Sequence, residues 1–130
     1  MSDNIVDFAQ AKKKTGDYIV RGTAANGMVR AMAITARGTV QAARDSHNTS
    51  PVVTAALGRL MMAAQMIGVT FKDADELLTL KVDGDGPMGG LTVTADNAGH
   101  VKGYANHPNV WLDLNDHGKL DVGGAIGPGT

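Results

Sequence analysis

Ser50-Pro51-Val52-Val53-Thr54-Ala55-Ala56-Leu57-Gly58-Arg59-Leu60-Met61-Met62-Ala63-Ala64-Gln65-Met66-Ile67-Gly68-Val69-Thr70-Phe71 is the stretch around which the rest of the chain has to be built. Between Pro51 and Val69 only Thr54, Arg59 and Gln65 introduce larger polar groups. Ser50-Pro51 marks a helix start: the serine oxygen is expected to accept from the free amides of the first turn, and proline there gives up no available hydrogen bond. The pattern predicts a helix over Pro51–Ile67, ended by Gly68. With apolar residues on nearly every side, such a helix must be surrounded. Lipid suits it poorly, because about 25 Å of helix is short of the ~30 Å hydrocarbon layer. Arg59, near the middle, would also cost about 2.5–3.5 kcal/mol there. Protein is the expected solvent, so strands and a second helix should wrap this one.

Composition narrows the function classes. At 130 residues and 43% hydrophobic the chain fits one domain that buries about two thirds of its unfolded surface. It has no cysteine, which rules out disulfides, thiolate metal sites and thiol redox chemistry in this chain. A net charge of −1, with Lys12-Lys13-Lys14 the only basic run, predicts no nucleic-acid partner. The N-terminus carries Asp3 and Asp7 and no long apolar run, so neither a signal nor a membrane partner is expected and the location read from it is cytoplasmic. Few aromatics, seven methionines and seventeen glycines describe an aliphatic core with many turns.

Residues 1–16 read as a short helix or loose arm, and 17–130 as the domain. Tyr18–Ala24 and Met28–Ile34 are strand-like runs joined through Ala25-Asn26-Gly27. Asn-Gly predicts a hairpin because both residues tolerate positive φ. Thr35–His47 predicts a second helix, with Ala36, Val40 and Ala43 inward. Beyond the polar loop Lys72–Glu76, period-two alternation predicts strands at Leu78–Val82, Leu91–Thr94 and Val101–Tyr104. A last hairpin is expected with Leu112 and Leu114 facing Leu120 and Val122 across Asn115-Asp116-His117-Gly118. The class is α+β: mostly antiparallel sheets packed around a buried helix pair. Gly123–Thr130 reads as a connection to a further element, and a missing strand would leave an edge that association or swapping covers.

Gly84-Asp85-Gly86-Pro87-Met88-Gly89 is a literal G-x-G-x-x-G. A dinucleotide fingerprint needs a helix opening at the third glycine, whereas Gly90–Thr94 begins a strand. No kinase catalytic-loop or metal-binding motif follows either. Asp83 with Asp85, and Asp113 with Asn115, imitate calcium loops but lack the later ligands. His47, His100, His107 and His117 have no zinc spacing, and no serine elbow or cysteine nucleophile is present. No active site is evident, so the chain reads as a non-enzyme. The methionines fill gaps in a core short of aromatics, or supply an adaptable apolar surface.

Asp17-Tyr18-Ile19-Val20-Arg21, Thr23–Gly27, His47-Asn48-Thr49-Ser50-Pro51, Thr54–Leu60, Gly84-Asp85-Gly86-Pro87, Gly89-Gly90-Leu91, Val93–Asp96 and Gly118–Gly124 closely resemble, in order, the N-terminal domain of the redox-regulated heat-shock chaperone family, heat-shock protein 33. The resemblance implies that family's N-terminal fold and a cytoplasmic, ATP-independent holdase of the stress response. Such a holdase binds unfolded or misfolded proteins and works as a homodimer, here with swapping as one route to it. In that family a separate C-terminal domain binds zinc through four cysteines. Those cysteines are absent, so no cofactor is assigned to this chain, and it is expected to be an incomplete N-terminal domain without the switch. Met28, Met32, Met88, Trp111, Leu112 and Leu114 are the candidate client surface, wherever they prove exposed. The alternative is a nucleotide- or phosphate-binding module using Gly84–Gly89.

Overall fold

The computed structural model describes residues 16–130. The arm expected over 1–16 therefore lies, apart from Gly16, outside the described residues. The elements run β1 (Tyr18–Ala24), β2 (Val29–Thr35), α1 (Arg37–His47), α2 (Pro51–Gly68), β3 (Leu78–Val82), β4 (Leu91–Ala95), β5 (Val101–Ala105) and α3 (Val122–Ile126). Strands β1 and β2 form one antiparallel sheet, and β3-β4-β5 another. The α+β class and antiparallel pairing follow the sequence patterns.

Helix α2 is the centre. It packs on β3–β5, α1, α3 and β2. Val53, Leu57, Met61 and Ala64, spaced three or four apart, lie along one side and Val52 and Ala56 beside them, all buried. They meet Leu91, Val93 and Ala95 of β4, whose alternation points those three inward. Each fully buried Leu, Met or Val here contributes about 1.5–3 kcal/mol of transfer free energy. The jacket is one-sided, because Arg59 and Ile67 are exposed. Lipid is unnecessary even though α2 is long and apolar enough to cross a bilayer by length and composition. Of the helix pair, only α2 is buried; α1 contributes no fully buried residue.

Helix boundaries differ from expectation for physical reasons. Thr35 finishes β2 opposite Tyr18, so α1 starts at Arg37 with Ala36 at its N-cap, a residue with no side-chain acceptor. Asp17 supplies the missing cap from across the chain: its carboxylate accepts from Gly38 N at 3.2 Å and Thr39 N at 2.7 Å. Gly68 does not end α2 through positive φ. It is the last helical residue, and a Cβ there would sit 2.6 Å from the Asp96 carbonyl oxygen. In the β1–β2 turn, Gly27 N donates to Ala24 O and Met28 N to Ala25 O. Ala25, Asn26 and Gly27 all have positive φ, so Met28 joins the turn and β2 begins at Val29.

The last hairpin does not form. Asn115 does make the expected turn, its Oδ1 accepting from His117 N and Lys119 N, and Asn115 N donates to Lys119 O. The pairing stops there. Asp121 caps α3 by accepting from Gly124 N at 2.9 Å, which turns Val122 into a helix rather than a strand facing Leu112. Gly123–Thr130, expected as a bare connection, is this helix and a tail packed onto the Gly84–Met88 loop.

Candidate functional site

The glycine loop is already occupied. Gly86 N donates to Ile126 O at 2.9 Å and Met88 N to Ala125 O at 3.0 Å. Asp85 Oδ1 accepts from Gly129 N at 3.0 Å. The Gly86 and Met88 amides are thus spent on α3 and the Gly89 amide donates back to Gly86 O, while a Cβ on Gly86 would collide with the Ala125 carbonyl. The glycines serve close packing of two backbones, not anion capture. Gly90 leads into β4 and no helix follows, so the phosphate-binding reading has no geometric support here. Asp83 pairs with Lys81 at 3.4 Å, and among the described residues no three His, Asp or Glu side chains converge as metal ligands.

Of the six apolar candidates, the structure separates three groups. Met88 is 1% exposed and belongs to the core. Its amide and carbonyl are both used, by Ala125 O and His107 N, so it is removed from any client surface. Met28 is 87% exposed at the tip of the first hairpin, and Met32 is half-buried in β2. Trp111, Leu112 and Leu114 share one segment outside regular structure, at 71%, 40% and 61% exposure.

That segment is exposed without being loosely attached. Ser50, expected to cap α2, makes no side-chain cap. Its hydroxyl instead donates to Val110 O at 2.6 Å and accepts from Val110 N at 3.1 Å, while Ser50 N donates to Pro108 O at 2.9 Å. Val110 is buried beside α2. Next along the chain, Trp111 Nε1 donates to Asn109 Oδ1 at 2.7 Å, so the indole's one polar group is satisfied and its ring is held to one side. Beyond it, the backbone amides and carbonyls of residues 111–114 make no hydrogen bond among the described residues. Leu120, also exposed, follows the Asn115 turn. The result is an apolar ledge anchored at Val110 and bordered by exposed Asp113 and Asp116.

Among the described residues two carboxylates are shifted, and both are structural. At Asp17, burial pushes the carboxyl up, but hydrogen bonds from the Thr39 hydroxyl and from the Thr39, Gly38 and Arg37 amides outweigh it, leaving the group below its ordinary value. At Asp96 the His100 ring hydrogen bond, aided by the His100 and Ala98 amides, holds the carboxyl below the usual range against the opposing effect of desolvation. Asp96 thereby closes the β4–β5 turn. Neither group lies in the ledge.

A family model described as the Hsp33 protein matches residues 17–130. A 33 kDa chaperonin of Agathobacter rectalis is 54% identical over 110 residues, covering 85% of this chain and 38% of that protein. One of Lachnoclostridium phytofermentans is 55% identical over 114 residues, covering 88% and 39%. The crystal structure of the 33 kDa chaperonin, a heat shock protein 33 homolog, from Thermotoga maritima superposes with a TM-score of 0.80 at 35% identity, over 84% of this chain and 37% of that one. The chain thus spans under two fifths of the length of these relatives.

Proposed function

Because the chain belongs to the Hsp33 family, whose model matches residues 17–130, we propose that it is the client-holding scaffold of an ATP-independent chaperone, capturing unfolded or misfolded polypeptides in the cytoplasm. The observation that carries this is the Trp111-Leu112-Leu114 ledge: large apolar side chains kept in solvent by a buried anchor, on a fold whose named relatives are chaperonins. Capture is burial of a client's apolar side chains against that ledge, worth about 25 cal/mol per Å² before the cost of ordering the client. No bond is made or broken, so no catalytic group is needed. Met28, at the hairpin tip, and half-buried Met32 extend the apolar surface available to clients.

Assembly as a homodimer is part of the same reading. Among the described strands, β3 and β5 each keep one free edge, and the β1–β2 hairpin keeps two. Such edges favour pairing with a second copy, by association or by swapping. Light scattering across a dilution series tests the dimer. For the holding activity, the chain is mixed with an enzyme unfolding at its transition temperature. Suppression of turbidity at near-stoichiometric ratios is the expected result, and unchanged turbidity at tenfold excess overturns it.

A further inference from the structure

The ledge is not only apolar. Between Trp111 and Asp121 three carboxylates, Asp113, Asp116 and Asp121, stand against the single lysine Lys119, and Asp113, Asp116 and Lys119 are exposed. Asp121 is committed to capping α3, but Asp113 and Asp116 make no hydrogen bond or ion pair through their side chains among the described residues. Among the described residues, exposed Leu112, Leu114 and Leu120 therefore alternate with negative charge that Lys119 offsets only in part, beside backbone amides and carbonyls of residues 111–114 that pair with no other described residue.

We propose that the Trp111–Leu120 segment is a docking surface for extended polypeptide segments that are apolar and basic, and that Asp113 and Asp116 select these over apolar acidic ones. This rests on the holdase reading and specifies its substrate class. Three features of the occupant follow from the site. Apolar side chains cover Leu112, Leu114 and the exposed indole face. A Lys or Arg beside them meets Asp113 or Asp116, and an Arg can also stack on Trp111. An unfolded chain supplies unpaired backbone groups to the free ones on residues 111–114. Ser50 and Val110 keep the ledge in place before the client arrives, which lowers the ordering cost of binding. Acidic segments meet like charge, which provides the discrimination.

Trp111 is the only tryptophan in the chain, so its emission reports on the site directly. The test titrates the whole protein with two synthetic peptides of equal length and identical apolar residues, one carrying lysines and the other glutamates. The lysine peptide is expected to shift Trp111 emission to the blue and to bind about fivefold more tightly at low ionic strength, the scale of two exposed ion pairs. The preference should vanish in about 1 M salt. The double variant Asp113→Asn, Asp116→Asn should bring the two affinities together. Should that variant fold poorly, Lys119→Glu serves instead and should widen the gap. Equal affinities at low salt, or no emission change with either peptide, overturn the proposal. An emission shift on concentrating the protein alone also overturns it, since a second copy would then be the occupant. If turbidity is suppressed while Trp111 stays silent, this inference falls and the holdase reading stands; absent suppression with a peptide-specific shift does the reverse.

Discussion

The side chain of Ser50 holds both main-chain polar groups of Val110, donating to its carbonyl at 2.6 Å and accepting from its amide at 3.1 Å, across sixty positions of sequence. One hydroxyl thus fastens the start of α2 to the base of the Trp111 ledge. Both residues are buried, so water cannot take over either bond. Ser50→Ala is expected to cost about 1–3 kcal/mol, the range for stranding buried polar groups. A lower urea midpoint at unchanged slope, together with a red shift of Trp111 emission as the ledge loosens, would bear this out. An unchanged midpoint would mean that Val110 finds other partners.

Stability and client holding should separate by position. Leu57 is buried between α2 and the β3–β5 sheet, and Leu57→Ala is expected to lower stability by about 2–5 kcal/mol. Leu114 is mostly exposed. Leu114→Ala should leave stability within about 0.5 kcal/mol while weakening aggregation suppression. Chemical denaturation paired with a turbidity assay measures both. Equal chaperone activity in Leu114→Ala and the unmodified protein would remove Leu114 from the surface.

Gly68 offers a test in which two local rules oppose each other. An alanine inside a helix is intrinsically favoured over glycine by about 1 kcal/mol. Here, however, its Cβ would lie 2.6 Å from the Asp96 main-chain oxygen, at the turn that Asp96 closes between β4 and β5. Main chain cannot swing aside as a flexible side chain can, so Gly68→Ala is expected to lower the melting temperature despite its propensity. A raised melting temperature would show that α2 and the β4 end move apart freely.

Asp17 caps α1 in place of Ala36. Asp17→Ala is expected to cost about 0.5–2 kcal/mol, toward the lower end because the carboxylate is largely exposed to solvent. The sign of the pH dependence follows from its lowered pKa. Relative to the unfolded chain, whose ordinary value is 3.8, the folded state holds the proton less tightly. The stabilisation is therefore fully present above that value and lost as pH falls through the lower folded one. Stability against pH for Asp17→Asn should drop less steeply below about pH 4 than for the unmodified protein, since asparagine keeps one accepting oxygen for the cap and does not titrate. Parallel acid limbs would contradict the assignment.

Most of the architecture was legible in local pattern. Alternation at Leu78-Leu80-Val82 and Leu91-Val93 named two strands, Asn26-Gly27 named a hairpin, and Ser50-Pro51 named the start of α2. The misreadings share a cause. Leu112, Leu114, Leu120 and Val122 have a strand's spacing, but the three leucines stay exposed, and Asp121 with Gly123-Gly124 draws Val122 into a helix. Met88 was a candidate for surface as one of the adaptable methionines; its burial depends on α3, which arrives from nearly forty residues away. Trp111, Leu112 and Leu114 were candidates because the family resemblance implied a client surface and they are large and apolar; the structure adds that they are exposed. Leu120, which the sequence reading placed only in the expected hairpin, is exposed as well.

The amino-acid order by itself determined the central helix, the strand periods, the turn residues and, through long matching motifs, the family. These are properties of neighbours along the chain, where periodicity and backbone preference act. Only the tertiary structure decided which apolar residues remain in water, that the Gly86 and Met88 amides of the glycine loop are taken by α3, and that Ser50 anchors Val110 instead of capping its own helix. Burial and hydrogen-bond partnership depend on which distant segment comes to lie alongside, and no local spacing records that.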